Sequence, residues 1–274
     1  MNVLEVQGLT KRYPAFTLDH VSFDVPQGAV MGFIGRNGAG KSTTLKSILG
    51  MVHPDEGAVM GFIGRNGAGK STTLKSILGM VHPDAGEVRV FGMDYAANER
   101  AIRRELGVVL GGIDFYPKKK IRVITDVTRR FYDNWDEGKY RHYLNLFAID
   151  EEKRVDQLSS GMKVKYMIAL ALSHNARLLI LDEPTSGLDP VSRDELTELL
   201  RRLVADGTRS VLFSTHITSD LEKCATHIAF IKDGEMQYTG ALDDFRDHYK
   251  DVGVTLEDII VHVERRPLDE GAII

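Results

Sequence analysis

One glycine-rich stretch has the residues needed to bind phosphate, and the chain contains it twice. Residues 28–55 recur without a change as residues 57–84, with Glu56 between the copies. Each copy contains the pattern G-x-x-x-x-G-K-[ST], at residues 35–42 and again at residues 64–71. Glycines let backbone N–H groups approach phosphate oxygens, the lysine adds a positive charge, and the serine offers a hydroxyl to Mg²⁺. The pattern therefore predicts a loop that binds nucleotide phosphates.

Two acidic residues lie where they could complete the chemistry of such a loop. Asp182 and Glu183 follow the aliphatic run Leu178–Leu181, which is typical of a buried parallel strand. Ligands collect beyond the carboxyl ends of parallel strands. We therefore expect Asp182 to hold Mg²⁺ and Glu183 to orient or deprotonate a water molecule. His216 follows another apolar strand, Ser210–Ser214, and could reach a γ-phosphate from there.

These residues need strands and helices to position them. An apolar run precedes the glycines of each copy, at Val30–Ile34 and Val59–Ile63, and a helix-like segment follows. Other strands are predicted at residues 3–6, 21–25, 86–92, 106–110 and 228–231. Helices are predicted at residues 94–105, 162–172, 191–206 and 217–225, and a mostly helical lobe at about residues 111–172. Residues 241–274 are mixed and charged, and they show no recognisable chemistry.

The composition argues against several classes of protein. The chain has 274 residues, a formal net charge of −4 and one cysteine, Cys224. This charge argues against a general nucleic-acid binder, and a single cysteine excludes an internal disulfide. No apolar run approaches the roughly 18–20 residues of a membrane span. The N-terminus lacks the basic and apolar regions of a signal peptide, so we expect a cytoplasmic protein that meets a membrane only through a partner.

In this order the segments resemble the nucleotide-binding subunit of an ABC (ATP-binding cassette) transporter, over about residues 2–245. Besides the phosphate loop, the match includes LSSGM at 158–162 in place of the family's LSGGQ, LLILDEP at 178–184, SGLDP at 186–190 and STH at 214–216. The resemblance implies an α/β fold: a P-loop NTPase core with a mainly parallel sheet, an N-terminal antiparallel β-subdomain and the helical lobe. Residues 1–245 would form the ATP-binding domain and residues 246–274 a C-terminal tail.

The resemblance also implies a role for each matching residue. Tyr13, expected in the loop between the first two strands, would stack on adenine. Mg²⁺ would be bound by Asp182 with Ser42 or Ser71, Glu183 would polarise the attacking water, and His216 would sense the γ-phosphate. ATP would further be bound by Gly35, Asn37, Gly38, Gly40, Lys41, Ser42 and Thr43 of the first copy or Gly64, Asn66, Gly67, Gly69, Lys70, Ser71 and Thr72 of the second, and, across a dimer, by Ser159, Ser160 and Gly161.

The implied function is to bind and hydrolyse ATP for a separate membrane permease. Cassettes of this family work as head-to-tail pairs, so a homodimer or heterodimer would enclose two ATP molecules at the inner face of the membrane. The segment FYP at residues 115–117 and the stand-alone cassette look more like bacterial export systems than importers. This chain departs from the family's pattern after the strand at residues 106–110, where the family usually has a glutamine that couples Mg²⁺ and water to the permease. Gly111 and Gly112 stand in its place, and Asp114 is the residue that could replace it.

The duplication leaves two alternatives open, a surplus copy or an impaired site, and a third alternative concerns the class of ABC protein. Two loops separated by one residue do not form two sites, because only one acidic pair, Asp182 and Glu183, ends an apolar strand as such a site requires. One copy is therefore surplus and is expected to lower stability. The short link at residues 26–28 favours the first copy, whereas the spacing to residues 86–92 favours the second. The duplication could also have impaired ATP binding altogether. A soluble ABC ATPase acting on DNA or ribosomes is a third possibility, disfavoured by the single cassette, the acidic charge and the lack of heptads.

Overall fold

The computed structural model describes residues 1–13, 16–34, 85–110, 116–232, 235–253 and 255–264. The strands of these ranges are β1 Asn2–Tyr13, β2 Phe16–Pro26, β3 Val30–Ile34, β4 Ala85–Val90, β5 Met93–Asp94, β6 Leu106–Leu110, β7 Leu178–Asp182, β8 Ser210–Thr215, β9 His227–Lys232 and β10 Glu235–Ala241. The helices are α1 Tyr95–Arg104, α2 Ile121–Thr128, α3 Glu137–Leu146, α4 Ser160–Ser173, α5 Pro190–Val204, α6 Thr218–Cys224, α7 Leu242–His248 and α8 Leu256–Glu264, with 3₁₀ turns at Arg129–Phe131 and Val155–Gln157.

The larger sheet has the strand order β10-β9-β3-β8-β7-β6. Its strands are parallel except β10, which runs antiparallel to β9. Every residue of β3 and β8 is buried, as are the first four of β7. One face of this sheet packs on residues of β1, β2 and β4, and the other face packs on residues of α4, α5 and α6. Because both faces are covered, the strands read as continuous apolar runs in the sequence. The predicted parallel core is confirmed.

The N-terminal strands form a second, antiparallel sheet with the order β2-β1-β4-β5. In β2 the side chains of Val21, Phe23 and Val25 are buried and the residues between them are exposed, the alternation expected of a sheet with one face on the core. The hairpin is longer than predicted, because β1 and β2 pair as far as Tyr13 and Phe16. The prediction that Tyr13 lies in a loop is therefore wrong, since it ends β1. Its contact with adenine stays a prediction.

The helical lobe has its own small core. Ile121, Tyr140, Leu144 and Tyr166 are buried together where α2, α3 and α4 meet. The Thr125 hydroxyl bonds the hydroxyls of Tyr140 and Tyr166, at 2.8 Å each. Burial raises the pKa of both tyrosines, so their hydroxyls stay neutral and serve this hydrogen-bond network. The helical character predicted for this lobe is confirmed for residues 116–172, whereas residues 111–115 lie outside the described residues.

Of the repeated segment, the structure describes residues 28–34, which begin the first copy. The apolar run of the first copy is β3, which lies between β8 and β9. Ala29 and Val30 extend this contact, because Val211 N–H donates to Ala29 O and Thr226 N–H to Val30 O. Residues 35–84, which include both phosphate-binding patterns, lie outside the described residues. The strand before the first pattern therefore occupies a central position of the larger sheet.

The C-terminal region contains two helices that the sequence reading did not anticipate. Helix α7 spans residues 242–248, so the boundary proposed between residues 245 and 246 falls within it. In α8, Leu256 and Ile259 are fully buried in the core, and Leu256 N–H donates to Glu222 Oε1 of α6 at 2.9 Å. None of the helices in the described ranges is both long and apolar enough to cross a bilayer.

Candidate active site

Three parallel strands end at one edge of the larger sheet and bring the predicted site residues together. Strand β8 lies between β3 and β7. Its residue Thr215 is in register with Ile34, the last residue of β3, and Ser214 is in register with Asp182, the last residue of β7. The carboxyl end of β3, where the first phosphate-binding pattern begins in the sequence, therefore lies at the same edge as the acidic pair, Asp182 and Glu183.

The acidic pair is held by hydrogen bonds from β8. Ser214 Oγ donates to Asp182 Oδ1 at 2.6 Å. The backbone N–H of Glu183 lies 3.1 Å from Ser214 O and 3.0 Å from Ser214 Oγ. Glu183 has a φ of +49°, which is uncommon for a residue other than glycine. The left-handed backbone thus comes directly after the strand, where Asp182 bonds Ser214 and Glu183 contacts His216.

Glu183 and His216, the two predicted catalytic residues, are in direct contact. His216 Nδ1 lies 2.8 Å from Glu183 Oε2, and the two side chains are 43% and 23% exposed. An ionised carboxylate can only accept, so Nδ1 donates this hydrogen bond. In a neutral imidazole the other nitrogen, Nε2, is then an acceptor, so donation from Nε2 to a phosphate oxygen requires the doubly protonated ring. The contact therefore leaves the carboxylate able to accept a proton, and the doubly protonated ring able to donate to a phosphate oxygen.

The signature segment, residues 158–162, begins helix α4. The Ser159 hydroxyl caps the helix by accepting from Met162 N–H at 3.2 Å. Ser159 and Ser160 are exposed, whereas Gly161 is buried. A Cβ on Gly161 would lie 3.3 Å from Ser192 Oγ, so the packing of α4 against α5 favours glycine here. The helix begins two residues earlier than Met162, the first residue of the predicted helix, because Ser159 supplies the cap.

The segment SGLDP, residues 186–190, fixes the beginning of α5. The Asp189 side chain accepts from Val191 N–H and Ser192 N–H, at 3.0 Å each, and from the Ser192 hydroxyl. These bonds, with that of the Ser192 hydroxyl the strongest, lower the pKa of Asp189 below its usual range. Leu188 of SGLDP and Ser192 of α5 both lie beside Gly161, so SGLDP and the signature segment are next to each other.

The structure leaves some predicted site residues untested and adds one that the sequence reading missed. The residues Gly35–Thr43 and Gly64–Thr72 lie outside the described residues, as do Gly111, Gly112 and Asp114. Ser214 is that added residue: in the sequence it begins STH, and the resemblance implies no role for it. Its position at the end of a buried strand next to the strand of Asp182 was the available signal, but the pairing of β7 with β8 was needed to read it.

The model of the family described as ABC transporter matches the chain in two pieces, residues 18–60 and 56–186. Each piece contains one of the two phosphate-binding patterns. Among curated proteins, the bacitracin transport ATP-binding protein BcrA of Bacillus licheniformis is 33% identical over 237 residues, which cover 85% of this chain and 68% of that protein. The Nod factor export ATP-binding protein I of Burkholderia thailandensis is 35% identical over 249 residues, covering 87% and 70%.

Solved structures with a similar fold are also ATP-binding cassettes of ABC transporters. A structure described as the ATP binding subunit of an ABC transporter superposes with a TM-score of 0.76 at 26% identity, covering 96% of this chain and all of that one. A nucleotide-free ATP-binding cassette, at 19% identity and a TM-score of 0.68, shares the fold. The fold and the site define an ATP-hydrolysing cassette. The chain belongs to the ABC transporter family as an ATP-binding subunit, which confirms the predicted family and fold class.

Proposed function

We propose that this chain hydrolyses ATP to drive export through a separate membrane permease. The observation that carries the proposal is the contact between Glu183 and His216 beside Asp182, at the carboxyl edge of the parallel sheet. Export is supported by the relatives, one of which is a Nod factor export protein and another a bacitracin transport protein. The FYP segment at residues 115–117 points the same way through its resemblance to export systems.

The residues at this edge suit a magnesium ion. Mg²⁺ prefers oxygen ligands and takes them from one or two protein side chains together with substrate phosphates. Asp182 offers a carboxylate at the end of β7 whose direction is fixed by the Ser214 hydroxyl. The hydroxyl of Ser42 or Ser71 would complete the protein ligands. When bound, the ion neutralises charge that develops on the β- and γ-phosphates.

We assign the proton transfer of hydrolysis to the Glu183–His216 pair, and their contact supports this assignment. A water oxygen forms a bond to the γ-phosphorus while the bond from that phosphorus to the bridging oxygen of ADP breaks. The Glu183 carboxylate takes the proton of the water, which requires that its orientation be fixed. His216 provides that orientation through Nδ1, and its opposite nitrogen donates to the transferred phosphate when the ring is doubly protonated.

The position of β3 favours the first copy of the repeat as the phosphate-binding loop. Gly35 directly follows Ile34 in the chain, and Ile34 is paired with Thr215 at the edge that holds the acidic pair. Thr215 precedes His216, and Ser214 bonds Asp182. We therefore assign phosphate binding to Gly35, Asn37, Gly38, Gly40, Lys41, Ser42 and Thr43. The corresponding residues of the second copy, from Gly64 to Thr72, belong to an insertion under this proposal.

Deleting residues 57–85 is expected to stabilise the protein and to preserve ATP hydrolysis. The deletion shortens the connection from β3 to β4 by one repeat, and halving such a connection favours the folded state by roughly 0.6 kcal/mol. Because 1 kcal/mol corresponds to about 2–4 °C for a domain of this size, we expect a rise of at least about 1 °C. Thermal unfolding followed by circular dichroism measures this change. A deleted chain that melts no higher than the full chain would contradict the insertion.

This deletion cannot identify which copy is used. Removing residues 28–56 instead gives a sequence that differs only in having alanine where the first deletion keeps Glu56. The two shortened chains should therefore have equal stability and equal hydrolysis rates, which makes the second deletion a control for the first. A large difference in melting temperature or hydrolysis rate between the two shortened chains would show that the residue at the deletion junction, and not removal of the second copy, causes the change.

Two exposed surfaces support the proposed partners. Ser159 and Ser160, at the beginning of α4, are open to solvent and so are available to ATP held by a second cassette in a head-to-tail dimer. On the helical lobe, Val123, Val127 and Phe131 recur every four residues and are 42%, 52% and 71% exposed. Exposed apolar side chains on one face commonly mark a contact with another protein. We assign this face to the permease, which would hold the chain at the inner face of the membrane.

Substitution of one residue on this apolar face tests the assignment to a transporter. We expect Val127→Asp to abolish co-purification of the tagged chain with a membrane-embedded partner from detergent-solubilised membranes, because a charge in an apolar interface is costly. Val261→Asp is the matched control, since Val261 is 49% exposed on α8. Both variants should hydrolyse ATP at the basal rate. An unsubstituted chain that stays in the soluble fraction without a permease would refute the proposed function.

A further inference from the structure

The hydroxyl of Ser214 contacts both members of the acidic pair. Ser214 lies in β8 with no exposed surface. Its Oγ donates to Asp182 Oδ1 at 2.6 Å and accepts from Glu183 N–H at 3.0 Å. A carboxylate accepts and a backbone N–H donates, so the direction of each bond is fixed without ambiguity. One buried hydroxyl therefore connects the proposed magnesium ligand to the proposed catalytic base.

The second of these bonds acts on an unusual backbone conformation. Glu183 has a φ of +49°, in the left-handed region that residues with a side chain seldom adopt. Such a conformation persists where the surrounding structure holds it. Here the Glu183 N–H is shared between Ser214 Oγ and Ser214 O. The backbone of Glu183 determines where its side chain begins, so Ser214 influences where the carboxylate meets His216.

We propose that Ser214 is a positioning residue for ATP hydrolysis. Its hydroxyl directs the Asp182 carboxylate toward Mg²⁺ and, through the Glu183 backbone, directs the catalytic carboxylate toward water. Groups that hydrogen-bond a metal ligand from behind commonly change metal affinity or activity by about 10- to 100-fold when they are removed. The inference rests on the proposed function, because it concerns the same site.

The same strand contains a matched control. Ser210, at the amino end of β8, is also completely buried. Its Oγ donates to Pro26 O at 3.2 Å and accepts from Gly28 N–H at 3.0 Å. Replacing either serine by alanine thus removes one donated and one accepted hydrogen bond from a fully buried hydroxyl. Of these two serines, Ser214 bonds the acidic pair and Ser210 does not.

The expected result separates positioning from stability. Ser214→Ala should lower kcat by about 10- to 100-fold and raise the Mg²⁺ concentration for half-maximal hydrolysis, while KM for ATP changes by less than about threefold. Calorimetry should show unchanged ATP binding in EDTA and a smaller gain in affinity on adding Mg²⁺. Ser214→Thr, which keeps the hydroxyl, should restore both properties at least in part. Ser210→Ala should leave both near those of the unsubstituted chain, even where the melting temperature falls.

Two results would overturn the inference, and a third would overturn the proposed function. The inference is overturned if Ser214→Ala keeps the kcat and magnesium dependence of the unsubstituted chain, or if Ser210→Ala changes them equally. Should Ser214→Ala fail to fold, Ser214→Cys carries the same expectations, because a thiol keeps most of the volume and is a weak donor. If the unsubstituted chain itself shows no magnesium-dependent hydrolysis, the proposed function fails, and that result is distinct from failure of the inference alone.

Discussion

Glu183→Gln is expected to reduce the rate of ATP hydrolysis by about 100- to 10,000-fold, the range that a positioned general base contributes. The amide keeps the size of the side chain and an oxygen that can accept from His216 Nδ1, whose present distance to Glu183 Oε2 is 2.8 Å. It cannot take a proton from water. The variant should therefore bind ATP with unchanged affinity and still fail to turn it over.

Phosphate release under saturating Mg-ATP measures the rate, and calorimetry measures the binding. Glu235→Gln is a suitable control, because Glu235 is an exposed residue at the beginning of β10. It should hydrolyse ATP as the unsubstituted chain does. Hydrolysis by Glu183→Gln within about tenfold of the unsubstituted rate would show that another group takes the proton, and the role given to the Glu183–His216 pair would have to be abandoned.

The sequence predicted the parallel core well because its strands are buried on both faces. Runs such as Leu178–Leu181 have no polar residue, and the acidic residues after them can lie only at a strand end. The helical lobe was also predictable, from the periodicity of its apolar residues. The position of Asp182 and Glu183 beside His216 followed from the topology of such sheets, in which neighbouring parallel strands end at the same edge.

Other features depend on contacts that no local pattern encodes. The left-handed backbone of Glu183 and the two bonds of Ser214 exist only once β7 and β8 are paired. The hairpin that places Tyr13 in β1 is longer than its apolar alternation suggests, since pairing with β2 extends it. In the C-terminal region, Leu256 and Ile259 pack against the core from a helix whose flanking sequence is charged, which hid it from a reading of periodicity.

The choice between the two repeats was beyond the sequence for a different reason. The copies are identical over 28 residues, so nothing within them can favour one. What differs is the surroundings, namely the short link from β2 and the position of β3 between β8 and β9. That position places the end of Ile34 opposite Thr215 and favours Lys41 over Lys70 as the residue that meets phosphate.

Lys41→Ala is therefore expected to weaken Mg-ATP binding strongly, whereas Lys70→Ala should have no effect. A hydrogen bond to a charged group contributes about 1.5–3 kcal/mol, which corresponds to a loss of affinity of roughly 10- to 150-fold. Each variant is the ideal control for the other, because the same residue is replaced within the same local sequence. Melting temperatures of both variants would show whether either change disturbs the fold.

The affinity of the full chain for Mg-ATP, measured by calorimetry beside these two variants, tests the account most directly. We predict that the unsubstituted chain and Lys70→Ala bind alike and that Lys41→Ala loses most of its affinity. The reverse pattern would assign the site to the second copy and contradict the role given to β3. An unsubstituted chain that does not bind Mg-ATP would show that the duplication has destroyed the site.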